Sequence, residues 1–181
     1  MASLLHQTLI FVLFCICFFV VEAIDLPSVE AVCKKTQDYN FCLKSFTDDP
    51  RTPAADMHGL ELISISLTII QIQATQSNNF TTIGKRITDP VGKKRLGVCI
   101  SNYDDALAKF QGAIRAAQNK AYMDVINWIR DGFNKIVECE NIYRMGEPIA
   151  VCPVSGENHK IIKLTEITLI INDGFIQHIS T

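Results

Sequence analysis

Seven cysteines hold most of the chemistry that this 181-residue chain offers, and their spacing decides which chemistry it is. Cys15 and Cys17 sit in an oily N-terminal run; Cys33, Cys42, Cys99, Cys139 and Cys152 follow it. A structural zinc site wants C-x2-4-C with a second close pair, or H-x3-5-H. His58, His159 and His178 have no such partner, so no metal and no cofactor are expected. A redox pair wants C-x-x-C, which is absent. Covalent staples remain. Carboxylates offer little more: Asp104 and Asp105 are adjacent, about 100° apart around a helix, and cannot face one substrate. The chain has no G-x-S-x-G, no H-E-x-x-H, no P-loop and no dinucleotide fingerprint. No catalytic residue is assigned, and an enzyme is not expected.

Staples need an oxidising compartment. "LIFVLFCICFFVV" (residues 9–21) is apolar and uncharged, shorter than a membrane span, and ends in "VEA" with small residues at Val21 and Ala23. Residues 1–23 therefore read as a signal peptide cleaved after Ala23. The expected destination is extracellular. Removing the signal takes away Glu22 and no Lys or Arg, so the formal net charge moves from −2 to −1. That balance supplies no basic field for nucleic acid or a membrane surface. The five remaining cysteines can form two bridges in fifteen ways, and composition does not choose among them. Flanked by Val151 and Pro153, Cys152 reads as a free thiol or the link of a dimer.

The elements that must position these sulfurs follow from periodicity. Residues 26–36 and 38–47 read as two short helices, each marginal alone; a Cys33–Cys42 bridge would hold them as a hairpin. Thr52-Pro53 is a cap-then-proline start, and Leu60, Ile63, Leu67, Ile70, Ala74, Phe80, Ile83 and Ile87 recur at helical steps, with Ser77 in the gap. They predict one long helix over 54–88. The run "LISISLTIIQI" (62–72) competes as a strand, but the stripe continues in register on both sides. Asp89-Pro90 repeats the start signal before a helix over 91–118 carrying Leu96, Cys99, Tyr103, Leu107, Phe110, Ile114 and Ala117. A helix over 120–144 carries Val125, Trp128 or Ile129, Gly132, Ile136, Cys139 and Tyr143; a last one over 157–178 carries Ile161, Leu164, Thr168, Ile171 and Phe175. The fold class is all-α: an antiparallel four-helix bundle (54–179) extended by an N-terminal helical hairpin (24–50), together one domain over 24–181. Antiparallel neighbours bring Cys99 beside Cys139 and leave Cys152 over.

A bundle without catalytic residues works by recognition. The turn between the second and third bundle helices carries Asn119, Lys120 and Tyr122, a cation with an aromatic, which suits insertion into a partner's cleft. "NFT" makes Asn79 a glycosylation acceptor.

Taken together, "VCKKTQDYNFCLKSFTDDP", "AADMHGLELISISL", "RLGVCISNYDDALAKFQGAI" and "VECENIY" resemble the plant invertase and pectin methylesterase inhibitor family, and its pollen-allergen-like invertase-inhibitor branch in particular. The resemblance spans nearly the whole mature chain. It implies a four-helix bundle with a helical hairpin, and two disulfides, Cys33–Cys42 and Cys99–Cys139. It also implies an inhibitor that occludes the active-site cleft of a secreted invertase or pectin methylesterase. Invertase inhibitors of this kind present Pro-Lys-Phe at the tip; here Asn119-Lys120-Ala121-Tyr122 keeps the lysine, lacks the proline and places its aromatic one position late. The other reading is a secreted binding or structural bundle of the same fold that inhibits nothing.

Overall fold

The computed structural model describes residues 26–179; the predicted signal peptide and the last two residues lie outside them. Helices α1 (Leu26–Cys33) and α2 (Tyr39–Thr47) form the hairpin. Asp38 caps α2 by accepting from the Phe41 N–H at 3.0 Å, and the Cys33–Cys42 disulfide closes the pair. Arg51 donates Nε and Nη2 to the two oxygens of Asp49, at 2.9 and 2.7 Å, which fixes the following turn.

The first bundle helix differs from the single rod expected over 54–88. Thr52–Ala54 form only a 3₁₀ turn, and Ala55 is extended. The helix α3 (Met57–Ala74) starts after Asp56, whose carboxylate accepts from the Gly59 N–H at 2.6 Å. Thr75–Phe80 then form a π-helical turn before α4 (Thr81–Arg86). Thr75 and Phe80 are both buried and lie five residues apart. An α-helix would place them on different sides, whereas the wider π turn brings both to the core. Ile70, expected in the stripe, is 55% exposed. The segment is apolar on several sides, so its periodicity did not single out one face. The buried face runs through Leu60, Glu61, Ile63, Ser64, Ile65, Thr68 and Ile72.

The rest of the bundle comprises α5 (Pro90–Gln118), α6 (Tyr122–Arg144) and α7 (Ser155–Ile179). Asp89 caps α5 through the Gly92 N–H. Leu96, Cys99, Tyr103, Phe110 and Ala117 are buried as expected, while Leu107 and Ile114 are half-buried and Ala106, Ala113 and Ala116 occupy the seam. Of the Trp128 and Ile129 alternatives, Ile129 is buried and Trp128 stays 38% exposed. Among α3, α5, α6 and α7, α5 packs on α6, α6 on α7, α7 on α3 and α3 on α5. Small residues let α5 and α6 close on each other. A Cβ at Gly132 would lie 2.7 Å from Phe110 Cε2, and one at Gly112 would lie 2.6 Å from the Trp128 ring.

The Cys99–Cys139 disulfide ties α5 to α6 across 40 residues. A loop of that size stabilises a fold by about 4 kcal/mol in the chain-entropy account. Among the described residues the buried apolar side chains form two clusters, one within the bundle and one between the hairpin, α3 and α7. Among the described residues no helix is long and apolar enough to cross a membrane.

Gly132→Ala is expected to lose about 2 kcal/mol, because the clash with fully buried Phe110 outweighs the better helix propensity. Gly97→Ala, with nothing within 4 Å of the new Cβ, is expected to gain up to about 1 kcal/mol. Urea unfolding of the two variants beside the parent checks both signs.

Candidate functional site

The turn joining α5 to α6 is built from backbone hydrogen bonds. The Ala121 N–H donates to Ala116 O at 3.0 Å and the Lys120 N–H to Ala117 O at 2.8 Å. These are the two bonds of a Schellman motif, with Lys120 in the left-handed position. Its φ is 55°, a conformation that costs a side-chain-bearing residue about 1–2 kcal/mol and that glycine adopts freely. The strain falls on the lysine expected at the tip. Asn119 caps α5 and donates its side-chain amide to Arg115 O at 2.8 Å. Asn119 and Lys120 are exposed.

Tyr122 does not project with them. It is half-buried, its ring stacked on Phe175 with centroids 4.5 Å apart and planes at 21°. Asn172 of α7 donates to the Tyr122 carbonyl at 2.9 Å. The exposed apolar side chains on the first turns of α6 are instead Met123 and Trp128. Trp128 lies flat over Gly112, with the Lys109 ammonium 5.1 Å from its ring centre. Sequence periodicity carried a partial signal for it, since Trp128 and Ile129 compete for one stripe position and only one can be buried.

Beneath the tip lies a buried polar cluster that sequence reading missed. Glu61 is fully buried, and neither carboxylate oxygen has a hydrogen-bond partner. His58 Nδ1 stands 3.4 Å from Glu61 Oε2, and buried Asn172 Oδ1 also lacks a partner. Burial pushes the Glu61 carboxyl up to about 7. Tyr122 is raised as well, first by burial and then by the negative charges of Glu61 and Asp56. The usable hint was a glutamate inside an apolar run, "LELISI".

The sulfurs form the second cluster. Cys152 is 3% exposed, with its Sγ 4.0 Å from Cys139 Sγ. A bridge from Cys152 to a second copy would therefore require the loop before α7 to open. Asn158 organises the surroundings: it accepts from Tyr103 Oη at 2.7 Å and donates to Glu140 Oε2 at 2.8 Å. Glu140 also accepts from Ser155 Oγ and from Arg144. Burial raises the Cys152 thiol to about 11. Asp104 and Asp105 engage different partners, Gln76 and Lys135, on the surface. Asn79 lies half-buried in the π turn.

Comparison with known proteins adds an independent line. The family model described as "Plant invertase/pectin methylesterase inhibitor" matches residues 27–171. "Pectinesterase inhibitor 5" of Arabidopsis thaliana is 33% identical over 174 residues, covering 94% of this chain and 97% of that protein. "Putative invertase inhibitor" of Platanus orientalis is 34% identical over 167 residues, covering 87% and 94%. In fold, the chain is similar to the crystal structure of a mutant form of a pectin methylesterase inhibitor from Arabidopsis. There the TM-score is 0.66 at 19% identity, over 78% of this chain and 93% of that one.

Glu61 sets the pH dependence expected of the fold. Its folded pKa of about 7 lies above the unfolded value of about 4.3. The folded state therefore holds the proton more tightly. The benefit is complete below the unfolded value and is lost as pH rises through the folded one. Stability from urea unfolding should fall between about pH 5 and 8, by roughly 3–4 kcal/mol at most. Glu61→Gln should flatten that part of the profile; an unchanged slope would assign it to another group.

Proposed function

We propose, on the premise that this chain belongs to the plant invertase/pectin methylesterase inhibitor family, that it is a secreted inhibitor that plugs the cleft of a cell-wall carbohydrate enzyme. It is not itself an enzyme. The observation that carries the reading is Lys120, an exposed cation held in a left-handed turn where glycine would cost less. Strain kept in that way at an exposed point suits a contact residue. Its charge suits a cleft that carries the catalytic carboxylates typical of enzymes acting on glycosidic bonds. Asn119 flanks it, and Met123 and Trp128 supply apolar contact area on the adjoining face of α6.

The tip favours pectin methylesterase over invertase as the target. An invertase-type tip, as the family resemblance describes it, presents an aromatic beside its lysine. Here Tyr122 is turned back onto Phe175 and bound through its carbonyl by Asn172. In this reading Tyr122 seats the turn and touches the target with its exposed edge only. The protein reaches the wall through cleavage of residues 1–23, carries a glycan on Asn79 and acts as a monomer.

Titrating a pectin methylesterase and a cell-wall invertase with the purified protein at mildly acid pH tests the target. Inhibition of the first at lower concentration is expected; inhibition of neither would leave a non-inhibitory bundle of this fold. Lys120→Gly separates contact from folding. It should leave stability unchanged or raise it by up to about 1 kcal/mol, while weakening inhibition about tenfold or more. Equal potency of Lys120→Gly and the parent would remove the tip from the mechanism. Amidase treatment of protein secreted from plant cells should lower its mass by one N-glycan, and Asn79→Gln should abolish the shift.

A further inference from the structure

Three sulfurs occupy one buried site. Those of Cys99, Cys139 and Cys152 all lie within 4.8 Å of one another, and all three residues are buried. The Asn158 amide faces two of them, 3.6 Å from Cys152 Sγ and 4.0 Å from Cys139 Sγ, so a donor stands ready for a sulfur that gains negative charge. The Cys33–Cys42 bridge belongs to the other apolar cluster and is not part of this site.

We propose that these sulfurs form an exchange cluster, in which Cys152 can replace Cys99 as the partner of Cys139. The Cys152 thiolate attacks Cys139 Sγ. The Cys139–Cys152 bond forms and the Cys99–Cys139 bond breaks. Cys99 leaves with the electron pair and takes up a proton equivalent to the one Cys152 lost. The number of disulfides is unchanged, and no outside oxidant or reductant enters. The new bridge closes 13 residues where the old one closes 40. It frees α5 from α6 and fastens the loop before α7, with its exposed Met145, Ile149 and Val151, to the end of α6.

The fold keeps this exchange closed by three means. Displacement runs along the bond that breaks. An attacker at 4.0 Å in line would stand about 6 Å from the far sulfur, but Cys152 lies within 4.8 Å of both, and so to one side of the bridge. Burial keeps the thiol protonated at neutral and acid pH. The groups around the cluster are Glu140, Tyr143 and Arg144 of α6, Tyr103 and Arg95 of α5, and Glu157 of α7. The loop itself is pinned: buried Arg95 donates to Pro148 O at 2.8 Å and Gly146 O at 2.6 Å, and the Ala150 N–H donates to Tyr143 O at 2.9 Å. Exchange therefore waits for the loop to lift, and Arg95 is the positioning residue that holds it down.

The test uses the whole protein and needs no target enzyme, so it stands or falls separately from the inhibitory reading. The protein is held at pH 8.5 in urea below its unfolding midpoint, quenched with acid, alkylated, digested and mapped. A Cys139–Cys152 peptide pair should grow as Cys99 becomes alkylated, while Cys33–Cys42 persists. Arg95→Lys, which cannot reach both carbonyls, should speed the change about tenfold or more, and Cys152→Ser should abolish it. Cys99→Ser should be isolated with Cys139 bridged to Cys152. Alkylation of Cys152 with Cys99–Cys139 intact throughout would overturn the proposal, as would Cys152 bridged to Cys33, Cys42 or a second molecule. If Cys99→Ser does not fold, the map of the parent protein decides alone.

Discussion

The close seam between α5 and α6 is the constraint on which the rest of the molecule depends. Gly112 and Gly132 admit Trp128 and Phe110 at distances that any side chain there would forbid. Alanines fill the intervening buried positions. One end of the seam is locked covalently by Cys99–Cys139, and the other is closed by the turn at Lys120. A pair held at both ends cannot slide, so the tip has a defined direction. The helices α3 and α7 complete the bundle around it, and the hairpin covers the outer side of α3 and α7.

That outer layer explains why α3 and α7 bury so many polar side chains. Ser64 and Thr168 hydrogen-bond to each other at 2.8 Å across the two helices. Thr68 and Thr165 return their hydroxyls to backbone carbonyls four residues earlier. Paired in this way, buried hydroxyls cost little and fix the register of the two helices. Glu61 and Asn172 depart from the pattern, with carboxylate and amide oxygens left without partners. Both lie close to Tyr122, so the least satisfied part of the core sits under the turn at Lys120. Protonation relieves much of the Glu61 penalty below neutral pH.

Much of the candidate site was legible. Lys120 stood out as a cation in a turn between two helices, and the staple reading of the cysteines followed from the absence of metal or redox spacing. Tyr122 was legible as a tip residue but not as a packed one, because its partners, Phe175 and Asn172, lie about fifty residues away on α7. Arg95 gave no local sign either: its role comes from two carbonyls on a loop more than fifty residues downstream.

The sequence by itself determined the helical class, the proline-led start of α5, the Asp89 cap and, through the antiparallel order of the helices, the pairing of Cys99 with Cys139. These rest on local periodicity, on capping and on the short connections that make successive helices antiparallel neighbours, all of which can be read along the chain. Tertiary structure alone decided which face of α3 is buried, where the π turn interrupts it, which way Tyr122 turns and how Cys152 comes to rest beside a finished bridge. Each of those outcomes is a competition among distant surfaces for the same space, and a single chain read in order carries no record of what stands opposite.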